Sequence, residues 1–363
     1  MSTAGWWQTA VVYQVYIRSF ADDSGDGVGD IAGLRSRLPY LSALGVDAVW
    51  INPWYPSPQA DAGYDVADYC DIDPVYGTLG AAQDFLDEAH TAGLRVLLDI
   101  VPNHMGVLQA DNPLWREVLE DGPASRYAGH FDIDWAQAGD DEHGGRVLQP
   151  VLEDQYGLVL EQGKLKLMWW AEGHAVVLSY YDHRFPIDPS DLPLLMDGGP
   201  HAGLDPEAAR EWQAVRQGFE ALPPRQDPHP AHQAARLRLK DELKARLDTL
   251  LRNHPVARTI LQTRLTAFNG HVGDPRSFDA LDDLLQRQAW RLASYRVADG
   301  VNYRRFFNIN DLAHGVHPSS CSRMEKSVAL TSLVKVPMEM RSTPVSACAR
   351  MPSSVTPPEI SRI

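Results

Sequence analysis

The sequence predicts an α/β protein built on part of a (β/α)8 TIM barrel: the first three βα units, then an inserted mixed and helical region, then a disordered C-terminal tail. Three observations carry that expectation. Short apolar, β-branched stretches alternate with helical ones through residue 104. The stretches VDAVWI (46–51) and LRVLLDIV (94–101) are apolar without alternation, as in parallel strands covered on both faces. Each strand runs into a loop rich in Asp, Asn, Gly and Pro, where barrels of this kind place their chemistry.

The elements follow in order. AVVYQVYI (10–17) reads as the first strand. DIAGLRSRLPYLSALG (30–45) reads as one helix, with Leu34, Leu38, Leu41 and Leu44 on one face, Asp30 as N-cap and Gly45 as stop. VDAVWI is the second strand, LGAAQDFLDEAHTAG (79–93) the next helix and LRVLLDIV the third strand. After residue 104 the rhythm breaks. NPLWREVLEDG (112–122) predicts a short helix, and VLQPVL, LKLMWW and AVVLSYY predict strands of an insertion. Residues 203–300 read as largely helical after a Pro/His-rich linker at 223–232, and Leu239, Leu243, Leu247 and Leu250 form a packing stripe. The expected organisation is therefore a barrel part at 1–104, a mixed insertion at 105–200, a helical region at 201–313 and a tail at 314–363.

Composition narrows the class. The chain has 363 residues, is 44% hydrophobic and contains 10 Trp, 13 Tyr and 9 Phe, enough for a substantial core. A net charge of −15 argues against a nucleic-acid binder, which needs a positive face. Three cysteines (Cys70, Cys321, Cys348) make a poor disulfide framework. The N-terminus shows no leader pattern and no apolar run is long enough for a bilayer, so the expectation is a cytoplasmic protein without membrane contact, its oligomeric state left open. The tail differs in kind: residues 314–363 carry 6 Lys/Arg against 3 Asp/Glu, the first 313 carry 27 against 45, and half of the methionines lie in the tail. A natural disordered tail and a frame-shifted or mis-joined end are both open readings.

Three strand-end loops hold the candidate site. ADDSGDGVGD (21–30) sets Asp22, Ser24, Asp26 and Asp30, with the Val28 carbonyl, at alternate positions, an oxygen set suited to Ca2+; a solvated Asp/Gly turn is the alternative. DAGYDV (61–66) pairs a carboxylate, Asp61, with an aromatic ring, Tyr64; a sugar presents both hydroxyls to accept from and an apolar face to stack on, although this is also ordinary loop composition. DIVPNH (99–104) places His104 as a donor to a sugar hydroxyl, with Asp99 and Asn103 fixing the loop. A lone histidine at a strand end is more often structural.

Taken together, VVYQVYIRSFADDSGDGVGDIAGL, INPWYPSP, DAGYDVADY and DIVPNH resemble the alpha-amylase family, glycoside hydrolase family 13, and within residues 6–104 its alpha-glucosidase and oligo-1,6-glucosidase branch. The resemblance implies that Asp61, Tyr64 and His104 bind the glucose at the cleaved bond and that loop 22–30 is a structural calcium site, with Ser24 where that branch has Asn. Residues 99–313, through NPLWREVLEDGPASRYAGHFDIDW, RVLQPVLEDQYG, YYDHRFPIDP and YRVADGVNYRRFFNINDLA, are instead similar to malto-oligosyltrehalose synthase, which rearranges the terminal linkage of a maltodextrin. The implied substrate is a maltodextrin or other alpha-glucoside, with no organic cofactor. A retaining enzyme of this family needs a nucleophile and an acid/base about 5–5.5 Å apart. The family's G-x-R-x-D nucleophile segment does not occur here, so no catalytic carboxylate is identified and a catalytically incomplete composite is a further expectation. Arg246-Leu247-Asp248 is the nearest echo of that segment and reads as part of a helix.

Overall fold

The structure is a computed structural model, and it describes residues 5–107, 112–136, 145–197, 203–297, 300–306 and 312–314. The expected tail therefore lies outside the described residues apart from His314, whose backbone ends the last strand.

Three short strands form a parallel sheet: β1 (Val12–Val15), β2 (Ala48–Ile51) and β3 (Arg95–Leu98), in that spatial order. Their register puts Val15, Val49, Ile51 and Val96 on one face, in the same core as Ile31 and Leu34 of α2 (Ile31–Ser36) and Phe85 and Leu86 of α4 (Leu79–Thr91). Each such buried side chain contributes about 1.5–3 kcal/mol of transfer free energy. The opposite face carries Val12, Trp50 and Leu97, which are 42%, 38% and 38% exposed; Trp6 lies over Arg95 at one end, so described residues cover this face only in part.

Two expectations for this part are corrected. β1 stops at Val15 because the chain turns at Tyr16 into a single helical turn, α1 (Ile17–Phe20). The expected helix 30–45 is two helices, α2 and α3 (Leu38–Ala43), broken at Arg37. Pro39 causes the break, since it offers no N–H to the preceding turn and its ring disfavours helical backbone before it. The ends were legible: the Asp30 carboxylate caps α2 by accepting from Gly33 N–H at 2.6 Å, and Gly45 follows α3 at φ +80.

A second body of structure follows β4 (His104–Gly106). It holds α5 (Pro113–Asp121), β5 (Val147–Leu152), α6 (Tyr156–Glu161), and the antiparallel meander β6 (Lys166–Trp170), β7 (Ala175–Tyr180) and β8 (His183–Pro186). Helices α7 (Leu192–Met196), α8 (Pro206–Glu220), α9 (Pro230–Asn253), α10 (Pro255–Phe268) and α11 (Asp279–Leu285) come next. The stripe on α9 packs as expected: Leu243, Leu247 and Leu250 are buried and Leu239 lies against the same core. Residues 290–294 are not helical. They form β9 (Trp290–Ser294), which pairs in parallel with β5 and so joins the mixed insertion to the helical region. The last strand, β10 (Leu312–His314), pairs antiparallel with β4.

Charge is buried where α5 meets α9. Arg236 is fully buried and donates to Asp121 at 2.9 Å, Asp188 at 2.7 Å, Ser190 Oγ at 2.8 Å and the Pro223 carbonyl at 2.9 Å. Lys240 pairs with Glu120 at 2.9 Å and with Asp121, and Lys244 reaches the other Glu120 oxygen at 2.7 Å. No described helix is long and apolar enough to cross a membrane.

Candidate functional site

The polar residues at the carboxyl ends of β1, β2 and β3 join hands. Gln14 Nε2 donates to Asn52 Oδ1 at 3.1 Å, Asn52 Nδ2 donates to the Tyr64 hydroxyl at 3.4 Å, and that hydroxyl donates to Asp99 Oδ2 at 2.8 Å. One relay thus crosses all three strands and ends on a carboxylate. Burial, then the hydrogen bond to Asp99, then the charges of Asp99 and Asp61 push the Tyr64 phenol up to about 12. It stays protonated at neutral pH and remains a donor.

The loop between β2 and α4 is shaped to present Tyr64. Gln59 and Ala62 hold left-handed backbone at φ 60 and φ 53, conformations that cost a non-glycine residue of order 1 kcal/mol each. Gly63 at φ +93 is required: a Cβ there would come within 2.8 Å of the Pro53 carbonyl oxygen. The buried Asp65 carboxylate ties the loop down, accepting from Ser57 Oγ at 2.5 Å and Ala60 N–H at 2.9 Å. Asp73 does the same from outside the motif, accepting from Gln59 Nε2 at 2.9 Å and Val75 N–H at 3.0 Å.

The residues singled out from sequence occupy different positions. Tyr64 and Asp99 are brought together, half-buried. Asp61 stands exposed beside them, its carbonyl accepting from Tyr64 N–H at 2.9 Å. His104 is 5% exposed and stacks on Phe306 with ring centroids 4.2 Å apart. Its Nε2 lies 3.1 Å from the Tyr64 carbonyl oxygen and its Nδ1 3.3 Å from the Asn103 amide nitrogen. That pairing fixes Nε2 as the protonated nitrogen, with Asn103 donating to Nδ1. His104 therefore braces the Tyr64 backbone, and Asn103 sets its tautomer. Gln14, Asn52, Asp65 and Phe306 were not singled out. Asn52 had a signal, since it follows directly on the second strand, whereas Phe306 reaches the site only by stacking on His104, some 200 positions earlier.

The loop at 22–30 is satisfied internally. Asp22 accepts from Ser24 Oγ at 3.1 Å, Gly25 N–H at 2.7 Å and Gly27 N–H at 2.8 Å, and Asp26 accepts from Val28 N–H at 2.8 Å. Asp30 spends one oxygen on Gly33 and the other on the N–H groups of Ser24 and Asp23. The N–H bonds from Gly27 and Gly25 hold the Asp22 carboxyl below its ordinary range. Among the described residues no group of three or more His, Cys, Asp or Glu is arranged to hold a metal ion. A calcium site needs those oxygens converging on one point, and here Asp22, Asp26 and Asp30 each spend carboxylate oxygen on N–H donors within or next to the loop.

Residues 14–155 match the alpha-amylase family over its catalytic domain. A probable alpha-glucosidase of Rhizobium meliloti is 52% identical over 99 residues, covering 27% of this chain and 18% of the relative. An oligo-1,6-glucosidase of Halalkalibacterium halodurans is 38% identical over 192 residues, covering 47% of this chain and 34% of the relative. Among solved structures, the maltooligosyltrehalose synthase of Arthrobacter ramosus superposes with TM-score 0.53 at 25% identity, over 90% of this chain and 30% of that one. A hypothetical maltooligosyl trehalose synthase of Sulfolobus tokodaii, at TM-score 0.52 and 20% identity, shares the fold. The chain spans about a fifth to a third of the length of the curated relatives it matches. Both resemblances read from the sequence hold, with glucosidases matching the N-terminal part and synthases superposing on most of the chain.

Proposed function

We propose that this chain serves alpha-glucan chemistry as part of a glycoside hydrolase family 13 catalytic barrel, and that its reaction is the intramolecular transglucosylation of maltodextrin to maltooligosyl trehalose. The observation that carries the sugar reading is the relay from Gln14 through Asn52 and Tyr64 to Asp99 at three strand ends. It holds a half-buried aromatic ring beside an exposed carboxylate, Asp61, and so offers a hexose both a stacking face and an acceptor. In this reading Asp61 accepts from ring hydroxyls, Tyr64 stacks and is aimed by Asp99, and His104 holds the Tyr64 main chain. The synthase reading is preferred because that likeness extends over most of the chain, while the glucosidase likeness is concentrated in the N-terminal part.

Alpha-glucoside hydrolysis is the second reading, favoured by the higher identity of the glucosidase match. Weak sugar binding without turnover is the third, because the family's G-x-R-x-D segment does not occur in the chain. Incubation with maltopentaose separates them: a non-reducing trehalosyl end supports transglucosylation, released glucose supports hydrolysis, and saturable binding without product supports the third. Tyr64→Phe keeps the ring but cuts the relay, and is expected to weaken maltodextrin binding about tenfold. Unchanged affinity in Tyr64→Phe and Asp61→Asn alike would remove this loop from the sugar site.

A further inference from the structure

We infer that Arg146 and Arg291, at the β5–β9 pair, form a binding site for a phosphate-type oxyanion, separate from the Tyr64–Asp99 site. Register brings the two side chains together. Val147 pairs with Trp290 and Leu148 with Arg291, and Val147 N–H donates to the Ala289 carbonyl at 2.8 Å. Arg146, one residue before the strand, therefore shares a face with Leu148 and lies diagonal to Arg291. Both are half-buried, and the Nε–H of each is shut away from solvent with no hydrogen-bond acceptor among the described residues. Arg146 Nη1 donates to the Gln286 carbonyl at 2.6 Å and to its side-chain oxygen at 3.4 Å, both neutral acceptors.

Two cations are thus set close together with no described carboxylate between them. Elsewhere in this protein buried arginine is neutralised: Arg236 has Asp121 and Asp188, and Arg225 has Asp188. Burial, then the charges of Arg291 and Arg225, push the Arg146 guanidinium below its ordinary range. An unneutralised, partly desolvated pair costs free energy that an anion would return. The guanidinium forks present more donors than one carboxylate accepts, which favours a phosphate with its additional oxygens. Gly300 lies beside the pair: a Cβ at position 300 would sit 3.1 Å from Leu148 Cδ2 and 3.8 Å from Arg291 Nη2.

The full chain is titrated with inorganic phosphate, against chloride at matched ionic strength, by calorimetry and thermal unfolding. Saturable binding is expected, with affinity lowered about tenfold in Arg291→Gln and in Arg146→Gln, and glucose giving no response. A hexose 6-phosphate is the second arm: tighter binding than phosphate assigns a phosphosugar, equal binding assigns the free ion, and either supports the site. Should the glutamine variants fail to fold, hydrogen exchange on the unaltered chain decides, with phosphate expected to protect residues 146–152 and 290–294 beyond chloride. Absence of saturable binding at millimolar phosphate, binding indifferent to both substitutions, or exchange unaltered at those strands would overturn the assignment.

Discussion

The strand-end relay and the ion network between α5 and α9 are both chains of polar contacts, yet they are built to opposite specifications. The relay from Gln14 to Asp99 links side chains that are exposed or half-buried, runs mainly through neutral groups and leaves Asp61 facing outward beside it. The network of Glu120, Asp121, Asp188, Arg236 and Lys240 is sealed, each member less than a tenth exposed and all held by opposite charge. A polar chain that will exchange partners with a ligand is kept near solvent, where the exchange costs little. A polar chain that only joins elements is buried, where losing one partner is expensive. Their sequence separations differ in the same sense: Asn52 and Tyr64 lie 12 positions apart, Asp121 and Arg236 lie 115 apart.

The contrast is broken most severely at its buried end. Arg236→Ala leaves Asp121 with only Lys240 and Asp188 with only Arg225, and opens a buried gap between them; it is expected to cost about 3–5 kcal/mol of stability, read as a lowered urea midpoint. An unfolding midpoint within error of the unaltered chain would mean that the network is not the lock described. Acid is the next probe. Burial opposes ionisation of Glu120, but the charges of Lys244 and Lys240 outweigh it and hold the carboxyl down to about 2, against an ordinary 4.5. A depressed folded-state value stabilises in full above pH 4.5 and is lost as pH falls from there toward 2. The loss is on the order of 3 kcal/mol for the shift. Urea midpoints at pH 6 and pH 3 should differ in the unaltered chain and differ much less in Glu120→Gln. The smallest effect sharpens the other side. Asp30→Ala removes the cap of α2 and should cost about 1 kcal/mol, while calcium and a chelator should leave the melting temperature of the unaltered chain where it was. A calcium-dependent rise would show that loop 22–30 rearranges around the ion after all.

What could be read from the sequence was local. The three parallel strands, the Asp30 cap, the Gly45 stop and the α9 leucine stripe each follow from neighbours within a turn or two. Tyr64 and Asp99 were singled out for the right loop and strand end, but their direct bond depends on how the left-handed stretch 59–63 folds back, which composition does not specify. His104 was read as a donor at the rim; whether its edge faces a ligand or a backbone carbonyl depends on a rotamer set by Phe306, some 200 positions away. β9 was missed inside a helical region because its partner, β5, lies on the far side of the β6–β8 meander and the long helices α8, α9 and α10, and nothing within WRLAS announces that pairing. The same distance hid the Arg236 network, whose members look like ordinary surface charges on α5, on α9 and, for Asp188, just after β8.

The face of the first sheet that the described residues cover only in part sets a rule for handling the molecule. With Val12, Trp50 and Leu97 turned outward, two copies carry matching oily panels, and a charge of −15 opposes their approach. That repulsion reaches only about 8–10 Å at physiological ionic strength and shrinks as salt is added. Concentrated salt, usually chosen to keep an acidic protein comfortable, is for this chain the condition that lets the panels meet.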